Sequence, residues 1–315
     1  MHRFKSIIML YDRRPGNQPT IQRGVDLARR NQARLTVVDV IEDGSWDSAD
    51  PYASAQFLEL QEFVSQERQK DLDIAIEPIK EQGVDVRAKL LYGEPFLEII
   101  REVLRENHDL VIKTAQGEGG LKGMLFGSTA MHLMRKCPCP VWVVKRQGSE
   151  QYERIIAAVD PDSSVEQRNS LTSKIMELAT SLAKLEQSEL LVVHAWSLYG
   201  ETLLRGGAGR MDQKEIDRLV REAKATHEAR LNNLVDEYDL QNLNYRVHLI
   251  KGDAGRVIPE LAEKKQAELI VMGTLSRSGV AGFFIGNSAE KILHKVDCSV
   301  LTVKPDGFVS PVKLG

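Results

Sequence analysis

Short apolar, β-branched runs alternate along this chain with longer stretches whose apolar residues recur every three or four positions. Ser6–Tyr11 reads as a strand, and Thr20–Asn31 places Ile21, Val25, Leu27 and Ala28 near helical spacing. Leu35–Ile41 is strand-like, and a long charged helix is predicted from about Ala53 to Gln82, with Gly83 as its natural C′ residue. Val84–Leu91 alternates as a strand and Pro95–Glu106 is amphipathic; a short buried strand Leu110–Ile112, a helix Gly127–Arg135 and a last strand Val141–Lys145 follow. The series then restarts as Ile155–Val159, Ser170–Ala183, Glu189–Ala195, Asp212–Tyr238, Tyr245–Ile250, Ala254–Lys264, Leu269–Met272, Ser288–His294 and Val300–Lys304. Short apolar strands alternating with helices predict an α/β architecture with a mostly parallel sheet covered on both faces.

The restart is a tandem duplication. At an offset of 159, Gly93 falls on Gly252, Leu110 on Leu269, Gly120 on Gly279, Gly123 on Gly282 and Gly127 on Gly286. Ala130, Lys136, Cys139, Val141 and Val144 meet Ala289, Lys295, Cys298, Val300 and Val303 in the same way. Glycines matching in order through one loop are hard to obtain by chance, since each answers a local backbone demand. Near the start of each copy the offset is 148 instead, as Ile7 on Ile155 and Asp12 on Asp160, so about eleven extra residues are expected in the middle of the second copy. The predicted division is 1–147 and 151–305, with a tail 306–315 and a linker at Gln147-Gly148-Ser149-Glu150.

Composition narrows the function. A chain of 315 residues that is 42% hydrophobic, 28% charged and 6% aromatic has core enough for two domains and is neither collagen-like nor disordered. Lys+Arg 42 against Asp+Glu 45 leaves a net charge of −3, so no basic field gathers a phosphate backbone and nucleic acid is disfavoured as a partner. No apolar stretch nears the ~20 residues of a membrane span. Met1–Ser6 leads into the first apolar run without a small-residue cleavage site, and three cysteines are an odd number, so a reducing cytoplasm is expected.

In an open parallel sheet, ligands bind beyond the carboxyl ends of the strands, where strand order reverses. Two features of each copy fall there: the acidic residue closing the first strand, Asp12 or Asp160, and the glycine-rich loop after the fourth. In the second copy the loop runs from Gly273 to Gly286-Asn287-Ser288 at a helix start, where backbone N–H groups and the helix dipole suit an anion. The alternative is that these glycines only turn the chain. The loop is neither GxxxxGK[ST] nor GxGxxG, and no nucleophile elbow or Ser–His–Asp context occurs. His194 reads either as a satisfied core histidine or as a contact near the cleft. Cys137-Pro138-Cys139-Pro140 with His132 reads as a helix-to-strand turn with a buried Cys139, or as an incomplete zinc site with too few ligands. Mixed charge on the two long helices reads as solvated face, and Gly206–Gly209 as a loop or lid in the extra-residue region.

The spacing Gly-x2-Gly-x9-Gly-[Ser/Thr] after the fourth strand, with an Asp closing the first, resembles the universal stress protein family, once per half. The tail Lys304–Leu314 is similar to that of a tandem member. The resemblance implies two Rossmann-like domains of the adenine nucleotide alpha hydrolase type, each a five-stranded parallel sheet flanked by helices, able to pair within one chain as two subunits would. It further implies a non-enzymatic cytoplasmic stress role, unknown protein partners and, in some members, bound ATP with its Mg. Carried over residue by residue, the second-half site is Asp160, Ala195, Gly273, Arg277, Gly286, Asn287 and Ser288, with Ser276 in place of the second glycine. The first-half site is Asp12, Val40, Gly117, Gly127, Ser128 and Thr129, with Thr114 in place of the first glycine. A glycine needing positive φ makes Thr114 the worse departure, and Glu118 stands where Arg277 does, so the second half is expected to be the better site. A slow ATP hydrolase, or a scaffold with an apolar ligand or none, are the alternatives.

Overall fold

The structure, a computed structural model, describes residues 4–42, 55–116, 126–146, 148–149, 151–161, 166–206, 211–274 and 285–314, with backbone alone for 55–58 and 166–168. It divides into two units, the first built on residues 4–149 with the tail from Phe308, the second on residues 151–307.

The first unit runs β1 (Ser6–Leu10), α1 (Gln18–Asn31), β2 (Arg34–Ile41), α2 (Ala55–Glu81), β3 (Val86–Tyr92), α3 (Pro95–Glu106), β4 (Leu110–Thr114), α4 (Ser128–Lys136) and β5 (Val141–Val144). Its strands pair in the order β3-β2-β1-β4-β5, all parallel. Every residue of β4 and β5 is buried, as continuous apolar runs between two helical layers demand. Helix ends follow the sequence: Pro19 and Pro95 open α1 and α3, whereas Gln32 and Asn107 close them in the left-handed conformation at φ 53°. Gly83, at φ 76°, turns the chain after α2. The tail folds onto this unit, where Ser310 Oγ donates to the Lys136 carbonyl at 2.8 Å.

The second unit runs β6 (Arg154–Ala158), α5 (Glu166–Glu186), β7 (Glu189–Trp196), α6 (Glu201–Arg205), α7 (Gln213–Asp236), β8 (Tyr245–Lys251), α8 (Ala254–Lys265), β9 (Leu269–Gly273), α9 (Asn287–Lys295) and β10 (Ser299–Val303). Its parallel order, β8-β7-β6-β9-β10, repeats the first, and Gln187 and Gln266 repeat the left-handed caps of Gln32 and Asn107.

The extra residues of the second half enter in two places, which corrects the expectation of a single insertion in the middle. Sheet register matches Ile7 to Ile155, Leu35 to Leu190 and Val86 to Tyr245, at offsets of 148, 155 and 159. Seven residues therefore precede the second strand, where α5 has 21 residues against 14 in α1. About two helical turns are absorbed there without disturbing sheet register. Only four lie in the region of Gly206; residues 207–210 are outside the described residues.

Candidate functional site

Strand order reverses between β1 and β4 and between β6 and β9, so each unit opens a crevice at the carboxyl ends of those strands. In the first unit β1 delivers Asp12 to that mouth. The Arg14 guanidinium takes both carboxylate oxygens, Nε to Oδ1 at 2.9 Å and Nη2 to Oδ2 at 2.7 Å, and Arg146 Nη2 adds a bond to Oδ2. Arg146, its side chain only 3% exposed, also donates to the Pro15 carbonyl at 2.6 Å, tying the loop after β1 to the end of β5. Burial alone would raise the Asp12 pKa, but the Arg14 hydrogen bonds and the charges of both arginines outweigh it and hold the carboxyl at about 2. Beneath it, Lys113 donates to the Thr114 carbonyl at 2.9 Å; burial pushes its ammonium down to about 8 despite the Asp12 charge. A second ion-pair set closes the β2 side, where Asp39 meets Arg68 at 2.8 Å and Arg13 at 3.3 Å, and Arg13 reaches Asp71 at 3.1 Å.

The helix start of the first unit is covered as well. Gly127 precedes α4 in extended backbone, φ −66°, and a Cβ there would lie 1.5 Å from Gln116 Oε1. Thus the Gln116 side chain occupies the space against the glycine. Ser128 is exposed, Thr129 half-buried, and the Val40 amide donates to Asp39 Oδ1 at 2.9 Å; Gly117 and Glu118 lie outside the described residues.

The second unit has the same frame with other side chains. Thr172 Oγ1 donates to the Asp160 carbonyl at 3.1 Å, as the Asn17 amide does to that of Asp12. The Asp160 side chain is 37% exposed against 12% for Asp12, and its Oδ1 stands 3.9 Å from His194 Nδ1. His194 is buried at the end of β7, next to Ala195, with Nδ1 3.1 Å from the Val159 carbonyl and Nε2 2.9 Å from His227 Nδ1. Both readings of His194 thus meet in one residue, a satisfied core histidine beside the crevice. Gly286 precedes α9, its N–H donating to the Thr274 carbonyl at 2.9 Å, and Asn287 and Ser288 form an exposed first turn. Lys304, buried beyond β10, donates from Nζ to Thr274 Oγ1. Arg277 and Ser276 lie outside the described residues.

Backbone strain does not separate the two halves. Neither Gly273 nor Thr114 has positive φ. A Cβ on Gly273 would come within 2.6 Å of Leu171 Cδ2, so the glycine admits the α5 side chain. Thr114 is an ordinary buried strand residue whose Oγ1 donates to Thr20 Oγ1 at 2.9 Å. What the first half does show is its Asp12 carboxylate held by Arg14 and Arg146, with Gln116 lying against Gly127. The fully buried cysteine of the turn is Cys137, not the expected Cys139, which is half-buried at the strand entry; their Sγ atoms lie 3.5 Å apart, and the contact with Cys137 pushes the Cys139 thiol well up. His132 stacks on Phe96, ring centroids 4.2 Å apart. Among the described residues, no group of three or more His, Cys, Asp or Glu is placed to hold a metal, and no helix is long and apolar enough to cross a membrane.

Two parallel five-stranded units, each with an Asp after its first strand and a glycine before its last helix, define a tandem Rossmann-like protein. The chain belongs to the universal stress protein family, whose family model matches residues 3–145 and again 151–304. Along its whole length it is similar to Universal stress protein E of Escherichia coli K12, 29% identical over 318 residues, covering 100% of this chain and 98% of that protein. Universal stress protein E of Photorhabdus laumondii is 26% identical over 320 residues, covering 99% of each. In fold it resembles a functionally unknown protein from Pseudomonas aeruginosa PAO1, with TM-score 0.68, 24% identity and coverage of 98% of this chain and 95% of that one. A universal stress protein from Archaeoglobus fulgidus gives TM-score 0.64 at 18% identity, covering 96% and 99%.

Sequence reasoning missed Arg146, Lys113, Arg68, Lys304 and His227. Most of these act on partners far away in the chain. Once sheet register supplies the strand-two offset of 155, Asp39 falls on His194, and the later offset of 159 puts Arg68 on His227, two replacements at contacting positions.

Proposed function

We propose that this is a non-enzymatic, cytoplasmic stress-response protein that binds an adenine nucleotide, ATP with its Mg, in the crevice of the second half. The observation that carries this reading is the contrast between Asp12, enclosed by Arg14 and Arg146 and 12% exposed, and Asp160, 37% exposed at the equivalent place. The first half does not fit the ligand: its carboxylate is engaged and Gln116 covers Gly127. In the second half, Asp160 and the end of β7 at Ala195 would hold the nucleoside, and the α9 start at Gly286, Asn287 and Ser288 would face the phosphates. Gly273 stands at the end of the neighbouring strand, the buried Lys304 cation supports the anion, and Arg277 is assigned to the same loop on the family pattern. Mg would arrive with the nucleotide, held by phosphate oxygens and water. Both ring nitrogens of His194, the imidazole beside Asp160, are engaged, which favours binding over hydrolysis. Signalling would then pass to partner proteins through occupancy.

Titrating Mg-ATP into the full chain and into Gly286→Asp and Gly127→Asp variants tests the reading. Loss of binding in Gly286→Asp with retention in Gly127→Asp is expected, because a carboxylate at the α9 start repels phosphate. Loss only in Gly127→Asp, or no binding to the parent chain, overturns it.

A further inference from the structure

In each half one side-chain pair ties the long helix to the second strand. Arg68 of α2 donates Nη1 to Asp39 Oδ2 of β2 at 2.8 Å, and His227 of α7 meets His194 of β7, Nδ1 to Nε2, at 2.9 Å. The two pairs occupy equivalent places. Asp39 lies opposite Leu90 in the sheet as His194 lies opposite Leu249, and the buried Leu72 and Ile76 of α2 correspond to the buried Leu231 and Val235 of α7. An Asp–Arg ion pair has thus been exchanged for two imidazoles, the side chains whose ordinary pKa lies nearest neutrality.

The hydrogen positions follow from the partners. The Val159 carbonyl can only accept, so His194 Nδ1 carries a hydrogen. With neutral rings, His227 Nδ1 donates to His194 Nε2. One added proton is accommodated, because His194 then donates from both nitrogens, to Val159 and to His227, and Asp160 Oδ1 at 3.9 Å offsets the charge. A second proton would set N–H against N–H across 2.9 Å, and the bond must break.

The elements packed against α7 are α6, β7 and β8. Trp196 of β7 lies with its ring 5.6 Å from that of His227, and Lys251 of β8 stands 5.8 Å above the Trp196 ring. Lys251 pairs with Glu201 of α6 at 2.7 Å, and Arg205 of α6 pairs with Asp217 of α7 at 2.9 Å. On α7 itself Lys224 and Arg230 lie one turn either side of His227 and Glu228 follows it, Lys224 and Glu228 exposed and Arg230 half-buried, so two further cations oppose protonation of His227. Asp160 therefore favours the first proton, while Lys251 and the first imidazolium oppose the second.

We propose that His194 and His227 form a proton-operated latch that holds α7 to β7 with zero or one proton and opens with two. The latch acts in the second half alone, since the corresponding contact of the first half, Asp39 with Arg68, contains no imidazole. It does not depend on nucleotide being bound.

Hydrogen–deuterium exchange of the full chain at pH 7.5 and 5.5, corrected for intrinsic exchange and without ligand, tests the latch. Protection of α7 peptides should fall by roughly tenfold for each pH unit below the second protonation step, with α2 peptides as the unresponsive internal control. The double variant His194→Asp/His227→Arg, which installs the first half's pair, should abolish the α7 response. His227→Gln, which keeps a donor toward His194 and takes no proton, should do the same if the double variant does not fold. An α7 response absent from the parent chain, equal to that of α2, or preserved in the variants overturns the proposal.

Discussion

Arg146 donates to Asp12 across 134 residues of chain, at the carboxyl end of β1 in the first half. With the carboxyl held at about 2 against an ordinary 3.8, Asp12 supplies stability that is complete above pH 3.8 and is lost as the pH falls through 2. The difference corresponds to about 2 kcal/mol. Replacing Arg146 with Met should move the Asp12 titration upward and cost the first half about 2 kcal/mol at pH 7. The checks are side-chain NMR titration of Asp12 and urea unfolding. An unmoved titration would contradict the clamp.

Lys113 gives a second reading of the same cluster. Burial pushes its ammonium down to about 8, and Asp12 is the charge that opposes the shift. Since the folded value lies below the ordinary 10.5, the lysine costs stability at neutral pH, and the cost is relieved as pH rises from 8 toward 10.5. Asp12→Asn should lower the Lys113 pKa further, read from the Lys113 side-chain resonances against pH. A higher value in the variant would place the controlling charge elsewhere.

The architecture was legible in the sequence because it rests on local signals. Apolar periods gave the strands and helices, prolines their starts, and the glycines Gly93, Gly127, Gly252 and Gly286 the duplication. Placement of the added residues was not legible. Extra helical turns in α5 keep the same periodicity, so sequence alone did not separate seven residues there from four beside Gly206. The state of the crevices was hidden for a different reason. Asp12 and Asp160 look alike as strand ends, but Asp12 is held by Arg14 close in the chain and by Arg146, which reaches it from beyond β5. Thr114 misled because a glycine's absence suggested strain, whereas packing of Leu171 explains Gly273.

That packing can be probed directly. Gly273→Ala puts a methyl 2.6 Å from Leu171 Cδ2 and should destabilise the second half by about 1–3 kcal/mol. Adding Leu171→Ala should recover part of the loss, since the clash partner is then gone. Thermal unfolding of the two variants gives the answer, and strict additivity of the two effects would rule out the contact as the cause.

Restoring the glycine in the first half should not create a site. Thr114→Gly removes the bond to Thr20 Oγ1 and a buried β-branched side chain from β4, at a cost of about 1–2 kcal/mol. Calorimetry should detect no new ATP binding in this variant, because Arg14 and Arg146 still hold Asp12 and Gln116 still lies against Gly127. A second ATP equivalent would point back to the backbone.

Photolabelling with 8-azido-ATP, followed by peptide mapping of the full chain, locates the nucleotide most directly. Label in peptides around Asp160 and Ala195, suppressed by excess ATP, is the predicted result. ATP-protected label around Asp12 and Val40, or none in either half, would contradict the assignment of the open crevice to the second half.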